Sequence, residues 1–199
     1  MAYGAGRDAL VRAAIEIVAE KGIQGLTHRS VAARAGVNHG LVALHFGSLD
    51  GLVAAATESA VERAITETGL ARAEGFDGSF ADQLLASLVS DPEIEMFQAR
   101  MVLEARGRPE IRALIERLYE NYISTIERGL RGRGIHGNEG SPKELARLVF
   151  ASLNGLVLQF LAVGSEAPIR EAIVELGRLL DAVSPTRNRP EAPAARHRP

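Results

Sequence analysis

The spacing of Ala32, Gly36 and Val42 constrains this chain more than any other feature. Two short helices joined by a tight turn approach so closely that a small residue is needed where they cross, and Ala32 meets that need. Four residues on, the turn requires a left-handed backbone or a close approach, which Gly36 supplies. Val31, Val37 and Val42 are apolar where such a unit must face supporting helices. This is the spacing of a helix-turn-helix. Thr27 suits the cap of the first short helix, about 29–35, and Asn38 the cap of the second, about 39–46.

The remaining pattern is helical. A helix near 7–21 places Leu10, Ala14, Ile17 and Val18 on one face and stops at Gly22 and Gly25. Ser48 caps a long helix running to about Thr68, and 69–78 is a glycine-rich joint. Further helices are expected at 79–90, 92–106 and 109–131. A glycine-rich loop, 132–140, precedes Ser141-Pro142-Lys143-Glu144, a capping box with proline at the first helical position. The helix it opens runs to about Val163 and is uncharged over 148–165, and an amphipathic helix follows at 168–183. No segment reads as a strand. The expected fold is all-α, about nine helices, with an N-terminal three-helix head and a larger helical domain. The expected boundaries are 1–47 for the head, 48–184 for the helical domain and 185–199 for a Pro/Arg-rich tail without apolar periodicity, read as disordered.

Charge sharpens this division. The formal net charge is -2, which as an average argues against a nucleic-acid partner. Residues 1–47, however, carry five basic and three acidic side chains, and 185–199 carry four Arg and one Glu, so the negative charge lies in the middle. The stretch 22–49 has no Asp or Glu but holds two Arg and three His, a candidate anion-facing surface. The absence of cysteine removes disulfide, Fe–S, thiolate-zinc and cysteine-nucleophile chemistry. His28, His39 and His45 lack nearby carboxylates for a triad or metal site, and Glu93 and Glu95 fall on nearly opposite helix faces. No enzyme, metal or cofactor is expected. The uncharged 148–165 run is short for a membrane span and is broken by Ser152, Asn154, Gly155 and Gln159, so it is read as buried in protein, with the chain cytoplasmic.

The residues Thr27, Val31-Ala32, Ala35-Gly36-Val37, Gly40, His45-Phe46, Ser48 and Leu52 together resemble the TetR family of bacterial transcription regulators over about residues 7–53. The resemblance implies a homodimeric repressor that binds a palindromic double-stranded DNA operator and is released by a small molecule. It places groove contacts at Arg29, Asn38, His39, Gly40 and Leu41, and phosphate contacts at Thr27, His28 and His45. Chemically, Arg29 suits guanine, Asn38 adenine and Leu41 a thymine methyl. Thr27 and Asn38 are equally read as helix caps, and His45 as a ring packed beside Phe46. Arg34 is read as a solvated face residue. Two departures stand out: the family commonly has Tyr where Ala43 stands and Lys where Leu49 stands, both phosphate-facing.

In the same family the last two helices form a dimeric four-helix bundle, here about 142–163 and 168–183, with Leu153 and Leu156 expected between subunits. Candidate residues for a partly apolar effector are Phe97, Gln98, Met101, Tyr119, Tyr122, Phe150, Asn154 and Gln159, each of which also reads as ordinary core. The alternative expectation is a helical ligand-binding or protein-interaction dimer with weakened or lost sequence-specific DNA binding, motivated by Ala43 and Leu49.

Overall fold

The computed structural model describes residues 3–135 and 142–182. Nine α-helices and no strands are found among them: α1 (Tyr3–Lys21), α2 (His28–Ala35), α3 (Gly40–Phe46), α4 (Leu49–Glu67), α5 (Gly78–Ser90), α6 (Pro92–Glu104), α7 (Pro109–Gly132), α8 (Pro142–Val163) and α9 (Glu166–Ala182). Short 3-10 turns at Ile23–Gly25 and Leu70–Arg72 tighten two of the connections. The expected Ser141 cap and the tail 185–199 lie outside the described residues.

Local chemistry accounts for the helix starts. The Thr27 hydroxyl accepts from the Ser30 amide at 3.0 Å while the Ser30 hydroxyl accepts from the Thr27 amide at 2.9 Å, a reciprocal cap. The hydroxyl of Ser48 accepts from the Gly51 amide at 3.1 Å, and Asp77 caps α5 through the Phe80 amide at 3.0 Å. Proline opens α6 and α7, where its missing N–H costs nothing.

α1 is the keystone of the head. Leu10, Val11, Ala14, Ile17 and Val18 are buried on a broad face that meets α2, α4 and α6. One apolar cluster runs without a break from these residues through Leu52, Ala56 and Ala60 of α4 to Phe97 and Met101 of α6 and Ile123 and Ile126 of α7. The head is therefore anchored to the helical domain by shared core. The strongly amphipathic α7 lies against α8, and α9 closes the far side against α5 and α8.

α8 is different. Only Ala146, Val149, Leu153 and Val157 are buried in it, while Leu148, Leu158 and Val163 are exposed, as is Leu179 of α9. By length and composition α8 could cross a membrane. Leu153, expected between subunits, is instead 7% exposed within its own chain, and Leu156 packs against the same core. Both therefore contribute to their own chain's core, which the uncharged sequence could not distinguish from the outer face.

Candidate DNA interface and effector cavity

The turn between α2 and α3 is built as its sequence requires. Gly36 adopts φ 66°, ψ 32°, a left-handed conformation that favours glycine, and the Val37 amide bonds the Ala32 carbonyl at 3.0 Å. Ala32 and Val42 are buried at the crossing, 5% and 0% exposed. Asn38, expected as the cap, instead makes an Asx turn one residue ahead of it: its Oδ1 accepts from the Gly40 amide at 2.9 Å, while His39 holds the N-cap position without a side-chain cap bond. His39 is already in helical conformation.

This geometry leaves one face of the head open. Thr27, His28, Arg29, Asn38, His39 and Gly40 are exposed, while Leu41 and His45 are half-buried against α1 and Phe46. The His45 and Phe46 rings meet edge-on at 6.1 Å, and the Arg7 guanidinium stacks over Phe46 at 5.3 Å, tying α1 to the end of α3. The two arginines of the carboxylate-free stretch have different fates. Arg34 donates to both carboxylate oxygens of Glu20 at 2.8 Å and to Glu16 at 3.0 Å, so its charge is cancelled within the head. These bonds raise the Arg34 pKa and lower that of Glu20. Arg29 has no such partner among the described residues. Sequence alone missed that α1 supplies the acids, since Glu16 and Glu20 lie 18 and 14 residues away. It also missed Leu44, which stands 63% exposed on the outer face of α3. Of the two departures, Ala43 is exposed and Leu49 is half-buried against the core.

In the helical domain, two adjoining cavities of about 50 and 160 Å³ sit among α5, α6, α7 and α8. Gln98, Tyr119, Tyr122, Phe150 and Asn154 line one or both. The other three candidates do not. Phe97 and Met101, both 0% exposed, are core residues of α6, and Gln159 lies on the exposed side of α8. A helix turns about 100° per residue, so neighbours of lining residues face elsewhere. Tyr122 stacks on Phe150 at 5.2 Å, with Tyr119 tilted against the same ring at 5.5 Å. The Tyr122 hydroxyl donates to Gln98 Oε1 at 3.2 Å, and Gln98 Nε2 is buried without an acceptor.

Glu95 lines both cavities and was not anticipated as a ligand residue. It makes no hydrogen bond or ion pair among the described residues. Burial pushes its carboxyl up to about 7. Burial also raises the Tyr122 hydroxyl, with the Glu95 charge adding to it and the Gln98 bond opposing it. An acid whose folded pKa exceeds its unfolded value stabilises the fold fully below the unfolded pKa and loses that contribution as pH rises through the folded one. The window here is about 4.5 to about 7. Glu95→Gln is therefore expected to raise the melting temperature at pH 8 and to change it little at pH 5. The residue as a whole is half-buried, so the gain at pH 8 has an upper bound of about 3 kcal/mol. A pH series of thermal melts checks this, and equal shifts at both pH values would refute it.

The cavities and the head are joined by α6. From the helix that carries Glu95 and Gln98, Arg100 donates to the Glu20 carbonyl at 3.3 Å, and Glu104 accepts from Gln24 at 3.1 Å.

A helix-turn-helix head on a shared core with an all-helical, cavity-bearing domain is the architecture of a helix-turn-helix DNA-binding regulator. A family model described as "Bacterial regulatory proteins, tetR family" matches residues 10–56, and one described as "Tetracyclin repressor-like, C-terminal domain" matches residues 76–183. The chain belongs to the TetR family of transcriptional regulators. An HTH-type transcriptional repressor of Mycobacterium tuberculosis is 49% identical over 47 residues, which is 24% of this chain and 25% of the relative. The match thus spans about a quarter of that relative's length. A TetR family member from Streptomyces coelicolor A3 superposes with TM-score 0.67 at 29% identity, covering 86% of this chain and 97% of that one. A Rhodococcus sp. protein described as a TetR-family regulator shares the fold, with TM-score 0.73 at 23% identity over 90% of this chain and 98% of that one. The multidrug binding protein EbrR, in a complex with proflavin, gives TM-score 0.59 at 28% identity over 88% of this chain and 99% of that chain.

Proposed function

We propose that this chain is a cytoplasmic homodimeric repressor that binds a palindromic operator and is released by a small, partly apolar effector. The observation that carries the reading is the open face of the head, where Arg29 is exposed and has no acid partner among the described residues, on the same head as the exposed start of α3. α3 enters the major groove. Arg29, Asn38, His39, Gly40 and Leu41 meet base edges, with Leu44 added, and Thr27, His28 and His45 face phosphates. Two heads in a dimer read half-sites about one helical turn apart, about 34 Å, or a multiple of that. The exposed leucines of α8 and α9 support pairing through those helices. The head is residues 1–47 and the effector and pairing domain 48–184.

For the effector, the proflavin complex of EbrR shows that a relative of this fold holds a small aromatic molecule. The two cavities here fall below the ~300 Å³ of an ordinary ligand pocket, so binding requires α6 to shift. Its links to α1 through Arg100 and Glu104 carry that shift to the head.

A gel-shift of the full chain against its own upstream DNA tests the reading. A retarded complex at 50 mM salt is expected, weakened steeply at 200 mM. Arg29→Ala is expected to weaken it by a factor of about 5 to 150, the equivalent of one lost bidentate base contact, and His39→Ala by less. No complex at 50 mM salt overturns the reading. Equal affinity for scrambled DNA favours instead a helical ligand-binding or interaction dimer whose head, with Ala43 and Leu49, no longer reads sequence.

A further inference from the structure

The effector cavity has a chemistry of its own that narrows what it accepts. Among the described residues, Glu95 is the only charged one lining either cavity. The titratable neighbours that face it are Tyr122 and Tyr119, both from α7; α5, α8 and the 70–72 turn contribute apolar side chains and the amide of Asn154. A carboxyl held among Leu, Val, Phe and Tyr side chains with no cation opposite is costly to ionise, and ordinary folding pressure removes such a group unless a partner arrives. A second observation points the same way. Gln98 is 7% exposed, its Oε1 is taken by Tyr122, and its Nε2 is a buried donor with no acceptor among the described residues. Buried donors of this kind are rare in native structures. Both groups sit on α6 three residues apart, one helical turn, so they face the cavity together. The aromatic cluster of Tyr119, Tyr122 and Phe150 forms the adjacent wall.

We propose that this cavity selects a flat aromatic molecule bearing a cationic amine, with Glu95 as the counter-charge and the free Gln98 amide donating to an acceptor atom on the same molecule. The proposal rests on the reading of this cavity as the effector site. Glu95 supplies charge selectivity: it attracts a protonated nitrogen, leaves a neutral analogue with a buried carboxylate unpaired, and repels an anion. The phenyl and phenol rings supply apolar contact and favour a positive group near their faces. A protonated Glu95 loses the attraction, so the cation preference fades as the solution becomes more acidic than the carboxyl's own titration, while a neutral analogue, no longer facing an unpaired carboxylate, binds at least as tightly.

The test uses three probes with one ring system and different charge: 1-naphthylmethylamine, 1-naphthylmethanol and 1-naphthoate, titrated calorimetrically into the full-length chain. At pH 8 the amine is expected to bind at least about tenfold more tightly than the alcohol, and the carboxylate more weakly than either. At pH 6 the amine is expected to bind about tenfold more weakly than at pH 8, with the alcohol binding at least as tightly as at pH 8. In Glu95→Gln, which relieves a buried charge and is expected to fold well, amine and alcohol should agree within about threefold at both pH values. Equal binding of amine and alcohol in the wild-type chain overturns the proposal. So does a preference that survives in Glu95→Gln, or failure of all three probes to bind at millimolar concentration. An amine that binds as described but leaves the gel-shift complex intact keeps the cation site and overturns the effector reading instead.

Discussion

Gly51→Ala is expected to destabilise the chain by at least about 2 kcal/mol and to abolish sequence-specific DNA binding. Helix propensity alone predicts the opposite sign, since alanine is favoured over glycine by about 1 kcal/mol inside a helix. Gly51 sits in the first turn of α4, and a methyl group there would overlap the carbonyl oxygen of Phe46, the last residue of α3. The obstacle is backbone, so no rotamer change relieves it. Either α4 or α3 must move, and the Ser48 cap on the Gly51 amide is lost with the shift. The groove-facing helix is then tilted relative to α1 and α4, and a displacement of about 1 Å is enough to break base contacts that need hydrogen-bond distances. The expected drop in melting temperature is about 4–8 °C for a chain of this size. Gly129→Ala in α7, where the nearest foreign atom is the Ala73 carbonyl at 3.9 Å, serves as control and is expected to be neutral or stabilising. A Gly51→Ala protein with wild-type melting temperature and operator affinity would sink this account of the α3–α4 joint.

The double substitution Leu148→Arg with Leu158→Arg is expected to yield a folded monomer with at least about 100-fold weaker operator binding. Both residues are exposed in the single chain, Leu148 at 66% and Leu158, at the rim of the larger cavity, at 46%. Covering a leucine contributes about 1.5–3 kcal/mol, so two per subunit across a two-fold interface are enough to hold a dimer, and four buried arginines are enough to prevent one. A monomer keeps one head and loses the second half-site. Leu153→Arg is a different experiment. Leu153 is buried in its own chain, and an arginine there is expected to unfold the protein rather than dissociate it. Sedimentation with far-UV circular dichroism separates the two outcomes. A dimer that survives both outer substitutions places the interface elsewhere.

Much of the fold was legible because its signals are local. Caps, prolines and glycines marked the helix starts, and the Ala32, Gly36 and Val42 spacing gave the turn and its buried crossing. α1 began earlier than expected, at Tyr3 rather than Arg7, and α3 began at Gly40 with the Asn38 turn ahead of it. Helix ends fray and shift by a residue or more for small differences in hydrogen bonding, so boundaries carry less information than the elements themselves. The cavity proposed for an effector was legible only in part. Aromatic and polar residues at helical spacing suggested a pocket, but Phe97 and Met101 belong to the core and Glu95 to the cavity wall.

The sequence by itself determined an all-helical chain with a helix-turn-helix head, because capping, periodicity and backbone freedom are properties of neighbouring residues. Only the tertiary structure decided which charges remain available. Arg34 is neutralised by Glu16 and Glu20 from α1, while among the described residues Arg29 has no acid partner and Glu95 no partner in its largely apolar cavity. Each outcome depends on which distant side chains the helix packing brings within a few ångströms. Coulomb interaction and desolvation act over that distance in space, whatever the separation along the chain.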